Sequence, residues 1–498
     1  MKHLNTLLLS TVMGAALVGC GGGGSSSSSD LPDVSVNPDL SSCDESVSPR
    51  VCTLKGTIVT DKTLDAETEW RLDGVVKIGQ GDVRISSDAQ VDAIKAAGVT
   101  LTVEEGVHVK AFNNGVLIVT RGSKMEAEGS AVEPITFSSV SDEDFDGEGE
   151  WGGVVIQGFA PQWSSFEDGN VVCSDVESGD FCNVAGEGGD DVAFYGGVDA
   201  DDDSGTIRYV RIAEAGKVAG PDNEVNGLTL QGVGHETTVE YVQVHGNLDD
   251  GVEWFGGTVD ARYLVLTNND DDDIDFDEGY QGNIQYAIVR KNNDKEAPTG
   301  KNDPRGIEAN SSDEGGVPQT EAVLANISII GGAVNNSTTS EAGQQPGMRL
   351  RGALNVQIHN TVVTDFDNGC IRIDDADRDG NDTTTDDTEF SKVTLNNVIG
   401  DCERYFRPND EGSDEKSFLG LGESLDIDVD FNGNWAITNT EAQLGSATTI
   451  TAVANGGSFT FDQTDYVGAV DPDATTAWWD GWIIEGTLDQ DVILELAE

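Results

Sequence analysis

The sequence predicts an all-β solenoid: a single-stranded parallel β-helix of about 22 residues per coil, with a short N-terminal capping helix. Three observations predict it. Sixty-one glycines, few prolines and runs of Val, Ile and Thr between turn residues point to many short strands. The segments TVEYVQVHGNLDDGVEWFGG from Thr238, DARYLVLTNNDDDDIDFDEG from Asp260 and GNIQYAIVRKNNDKEAPTGK from Gly282 superimpose at successive shifts of 22 residues. In that overlay Val242, Leu264 and Tyr286 form one apolar column and Val244, Leu266 and Ile288 the next, with the period-two alternation of a strand. A second strand follows in the same register, Val252 over Ile274 and Trp254 over Phe276. Leucine-rich repeats are of similar length, but their leucine and asparagine pattern is absent.

From the N-terminus, MKHLNTLLLSTVMGAALVGC pairs a charged start at Lys2 with an apolar run, Leu7 to Val18, too short for a lasting membrane span. It reads as a signal peptide over residues 1–19. LVGC resembles the bacterial lipobox, which implies diacylglyceryl attachment at Cys20 and, with Gly21 following, the outer membrane. Acyl chains contribute roughly 0.8 kcal/mol per buried methylene, so several make a stable anchor. The Gly/Ser-rich stretch 20–41 reads as a flexible tether with a reach of about 25 Å.

Residues 42–98 are expected to form an N-terminal cap region. Within it SSDAQVDAIKAAG reads as an amphipathic helix, with a Ser87 to Gln90 capping box and Gly98 at its stop. Residues 99–465 are expected to be the β-helix, continued less regularly by LANISIIGG, NVQIHNTVVTDF, CIRIDD and KVTLNNVIG. Residues 466–498 are expected to cap the far end. Their AWWDGWIIEG run, with Trp478, Trp479 and Trp482, reads as packing rather than a carbohydrate platform.

With 91 Asp+Glu against 28 Lys+Arg the formal net charge is −63, which excludes nucleic acid as a natural partner. Apart from Cys20, six cysteines fall into sequence-local pairs, Cys43 with Cys52, Cys173 with Cys182, and Cys370 with Cys402. In an exported chain an even count suggests disulfides, and neither these spacings nor the five scattered histidines suit zinc.

The stretch NNDDDDIDFDEGYQ, 268–281, sets the central question, because the 22-residue shift stacks its charges. Asp250, Asp272 and Asp294 share one column; Asp249, Asp271 and Asn293 share its neighbour. Unit charges about 4.8 Å apart repel by roughly 3–4 kcal/mol at an effective dielectric near 20. The carboxylates must splay into solvent, hold protons or share cations. Calcium is the candidate, since it takes six to eight oxygens in flexible geometry. Two loops carry a D-x-D-x-D-G core: Asp142, Asp144 and Asp146 before Gly147, and Asp375, Asp377 and Asp379 before Gly380, with Asp386 at loop position twelve.

EPITFSS, EWGGVVIQGFAP, FYGGVDADDDSGTIRYVRIAEAG, NGLTLQGVG, DDGVEWFGG, DIDFDEGYQGNIQYAIV and the terminal DYVGAVDP to WWDGW together resemble a largely uncharacterised family. Its members are secreted or lipid-anchored bacterial right-handed parallel β-helix proteins. The resemblance runs from Val99 to the C-terminus and implies pectate-lyase-like architecture at the cell surface, without implying a reaction. No nucleophile elbow, phosphate loop or dinucleotide fingerprint occurs. The expectation is a non-enzymatic, calcium-binding outer-membrane lipoprotein for surface attachment or glycan capture. The rivals are a polysaccharide lyase or glycoside hydrolase, with Arg349, Arg351 and Arg372 near Asp374, Asp375 and Asp377 as candidates, and an accessory to an outer-membrane transporter.

Overall fold

The computed structural model describes residues 38–141, 144–163, 181, 183–187, 192–217, 225–291, 302–312, 316–332, 335, 345–374, 392–407, 418–421, 425–439 and 449–490. No helix among them is long and apolar enough to cross a membrane. Almost every strand pairs in parallel with its counterpart one coil away, so the chain is a parallel β-helix.

Each full coil supplies a short strand and a longer one bent at its middle, which gives three faces. The bend needs a backbone turned into the left-handed region, and the residues there are Tyr209, Tyr241, Tyr263, Tyr286, Asn326, Asn360 and Asn397, with φ from 47° to 64°. Non-glycine residues pay for that conformation with strain, here offset by stacking. The four tyrosine rings lie one on the next, centroids 4.4, 4.3 and 4.9 Å apart. Inside the coil, Val242, Val244, Leu264, Leu266, Val252, Trp254, Ile274 and Phe276 are all fully buried in one continuous core.

The 22-residue register holds between Val242 and Leu264, Val244 and Leu266, and Val252 and Ile274. It slips at the next coil. Leu264 pairs with Ala287 and Leu266 with Val289, so Tyr286 and Ile288 leave the columns assigned by the repeat. The slip puts Tyr286 on Tyr263 and turns Ile288 outward beside Val265, where both are buried by the C-terminal segment.

The helix forms as expected, Asp88–Ala96, with Ser87 Oγ accepting from Gln90 N. It does not cap the end. Ile94 packs beside Ile85 and Phe159 on the flank, and the strand Ser42–Asp44 lies antiparallel to Arg50–Ile58 on the first coil. The parallel stack already begins at Arg50, inside the expected cap region.

The C-terminal segment is likewise no end cap, and irregular chain replaces coils well before residue 465. Its described residues, 427–439 and 449–490, run as a strap along the flank of the rod. Trp482 meets Tyr209 and Tyr241 edge-on, Trp478 tilts over Tyr263, and Gln243 bonds both Ile484 N (2.7 Å) and Thr487 Oγ1 (3.0 Å). The tryptophans are therefore packing residues, because outward apolar groups at the bend need a cover. Disulfides join Cys43 to Cys52 and Cys370 to Cys402; Cys173 and Cys182 lie outside the described residues.

Candidate functional site: a carboxylate band on the third face

The third face is built from the short strands Val252–Phe255, Ile274–Asp277, Ile307–Ala309, Met348–Leu350 and Ile371–Ile373. Alternation sends Val252 and Trp254 inward and Glu253 outward. Parallel pairing then stacks Glu253, Asp275, Glu308, Arg349 and Arg372 in one outward column. Acid gives way to base along a single line of side chains.

The corner before this face adds the repeat-predicted aspartates. Asp272 N donates to Asp250 Oδ1 at 2.9 Å, so these two do stack. Carboxylate oxygens lie within 4.8 Å of one another in three linked groups: Asp249, Asp250 and Asp271; Asp250, Glu253 and Asp275; Asp272, Asp275 and Glu308. Sharing Asp250 and Asp275 makes them one band. Asp250, Glu253, Asp272 and Glu308 are buried, so the acids do not splay into solvent as a charged ridge would.

Cations offset part of the charge. Arg305, itself 1% exposed, lies 3.0 Å from Asp272 and 2.5 Å from Glu308. Lys291 bonds Asp273 at 2.8 Å with both side chains fully buried. Arg305 also occupies the rung below Asp272, since Ile274 pairs with Ile307, and this replaces the expected rung of Asp294. Asp294 itself lies outside the described residues.

What remains is undercompensated. Burial, then neighbouring carboxylates, pushes Asp250, Glu253 and Asp275 well above the usual range, and Asp277 up to about 7 chiefly by burial. Burial likewise raises Asp271, with Asp249 adding to it, and Asp272, against the pull of Arg305. For Glu308 burial is outweighed by Arg305, Arg351 and Arg349, which hold it below its ordinary value. Asp275 Oδ1 and Asp277 Oδ1 are buried without a hydrogen-bond partner. Such an arrangement accommodates protons or a hard cation with oxygen ligands. The converging oxygens are all carboxylate oxygens, and Asp275 Oδ1 and Asp277 Oδ1 have no donor, a set that suits calcium.

Glu253, Asp275, Asp277, Glu308, Arg305 and Lys291 are not singled out by the repeat reading, although Glu253 and Asp275 coincide in the same 22-residue overlay. Asp144 and Asp146 belong to none of the converging groups, and Asp142, Asp375, Asp377, Asp379 and Asp386 lie outside the described residues. In the first of these loops the left-handed residues are Phe145 and Gly149. Arg349 Nε and Arg372 Nε both donate to Asp374, at 2.9 and 2.7 Å, and Arg351 Nε lies 2.8 Å from Glu308.

A family model described as a pectate-lyase like beta helix domain matches residues 56–419. The chain belongs to that family. No curated protein and no solved structure matches it. Within this pectate-lyase-like helix the matched span holds the whole carboxylate band and the arginine column, and stops before the strap. Among the described residues the strap's hydrogen bonds to the coils fall on the long strands and the corners, and none reaches a short strand of the third face. No hydrogen bond of the strap's described residues therefore reaches the band.

Proposed function

We propose that this chain is a surface-displayed β-helix that captures a glycan on its third face through a divalent cation, calcium, held by Asp250, Glu253, Asp272, Asp275 and Glu308. Lipid attachment at Cys20 and the tether would hold it at the outer membrane. The observation that carries the reading is the linked band of buried carboxylates, with Asp275 Oδ1 lacking any donor, directly beside the arginine column. A cation there would neutralise the band and keep open positions for ligand oxygens, while Arg349 and Arg372 continue the same line for acidic or hydroxyl groups.

A lyase would need a base beside the metal; Arg305 is paired with Asp272 and Glu308, which leaves Arg351, 2.8 Å from Glu308. Burial lowers its proton affinity, but Glu308 and Asp275 outweigh burial and hold it above its ordinary value. A guanidinium so held is a poor base. Capture without bond cleavage is the better reading. Immobilised neutral and acidic polysaccharides test it: calcium-dependent retention, abolished by chelator and without unsaturated products or new reducing ends, is expected. Retention that is indifferent to chelator contradicts cation-mediated capture, and released products contradict a non-enzymatic role.

A further inference from the structure

A cavity of about 260 Å³ lies away from the carboxylate band, where the starts of two long strands meet the strap. Glu240 and Arg262 come to it from successive coils, His235 and Asp260 from the corners before them, and Ser458 and Phe459 from the strap. The strap is seated there by a built contact. Asn455 Nδ2 donates to the carbonyls of Thr258 (3.0 Å) and Gln281 (3.1 Å). Gly456, at φ +96°, and Gly457 then lie against His235, where a Cβ on either would stand 3.1 Å from that side chain. Arg262 covers the Phe459 ring at 4.2 Å from its centre and donates to the Thr460 carbonyl.

Polar atoms in these walls are left over. The His235 side chain is 3% exposed; its Nε2 meets Asp201 at 3.2 Å, while its Nδ1 is buried without a partner. Arg262 Nε is also buried and unpartnered. A buried polar atom without a partner is unfavourable, so two beside one small cavity call for an occupant. The volume is just below the roughly 300–1,000 Å³ typical of drug-sized ligands, and suits a single ring.

We propose that this cavity binds one neutral pyranose residue, the end or a side branch of a glycan. Pyranose hydroxyls both donate and accept, so they serve His235 and Arg262 on one side and Glu240 and Asp260 on the other, with Phe459 as an apolar wall. A uronate is disfavoured by the two carboxylates. Burial pushes Asp260 up to about 6, against its hydrogen bonds from Asn283 and Asn455. The proposal deepens the glycan-capture reading but rests on a separate site.

Saturation-transfer NMR in chelator, with the methyl glycosides of glucose, galactose, mannose and N-acetylglucosamine and with glucuronate and galacturonate, tests it. At least one neutral glycoside should saturate with a dissociation constant on the order of millimolar, weakened about tenfold in Glu240→Ala and in Phe459→Ala and unchanged in Asp275→Asn. Glu240 is half-buried rather than core, so Glu240→Ala should keep the wild-type melting temperature even if Phe459→Ala loosens the strap. Absence of saturable transfer from every neutral glycoside, transfer unchanged in Glu240→Ala, or tighter binding of uronates would each overturn the proposal. Because the band is emptied by chelator and altered by Asp275→Asn, failure of cation-mediated capture leaves this outcome unaffected.

Discussion

Glu253 and Asp275 are direct partners in parallel register on the third face, so two acidic side chains stand one above the other between inward Val252, Trp254, Ile274 and Phe276. At strand spacing such a pair repels by roughly 3–4 kcal/mol at an effective dielectric near 20. Glu308 continues the column, and Asp250 and Asp272 close on it from the corner. The core geometry that makes the coil stack is the same geometry that forces the acids together.

Without cations, stability should fall as pH rises. Asp277 has a folded pKa of about 7 against an ordinary 3.8, and its neighbours shift in the same direction. Between those values the folded chain binds more protons than the unfolded one, so unfolding becomes easier with each step up. Melting temperature in chelator is expected to decline from about pH 4 to above pH 7, with the decline flattened by calcium. A rise over that window would contradict the shifts.

Arg305→Met should be severely destabilising, by about 3–5 kcal/mol in denaturant unfolding at neutral pH, because it leaves Asp272 and Glu308 buried without their cation. Adding Asp272→Asn and Glu308→Gln to it should recover much of the loss. An Arg305→Met protein as stable as wild type would show that these acids are already protonated.

Trp482→Ala should cost about 3–5 kcal/mol, since the ring is fully buried and braces Tyr209 and Tyr241. Limited proteolysis should then cut first within the strap, leaving the coils intact. Equal cutting of strap and coils would mean that the two unfold as one unit.

Removing the Cys370 to Cys402 bridge by Cys370→Ser with Cys402→Ser should lower stability by about 2–4 kcal/mol, because it closes a loop of 32 residues near the last coils. Unfolding curves of this variant and of wild type, both without reductant, measure this directly; coincident curves would contradict it.

The coil was legible because its apolar columns repeat with strand alternation, and Val242 over Leu264 needs no further information. The helix was legible from Ser87 and Gln90. Its flanking position was not, since a helix signal says nothing about which surface receives it. Register beyond Leu264 was lost to a one-residue slip that favours stacking Tyr286 on Tyr263. The strap was illegible because its contacts, such as Gln243 with Ile484, join residues 241 apart with no shared period. Asp250 and Asp272 were found by the repeat, whereas Glu308 and Arg305 come from a longer coil that breaks the 22-residue spacing.

Thermal melting of the purified protein in chelator, then with rising calcium or magnesium, tests the carboxylate band most directly when wild type and Asp275→Asn are compared. Wild type should show a large, saturable rise with calcium that magnesium does not reproduce, about 2.7 kcal/mol at a hundredfold excess over the dissociation constant, and Asp275→Asn should lose most of it. A response no greater than ionic screening, or one identical in the two proteins, would contradict a metal site on the third face.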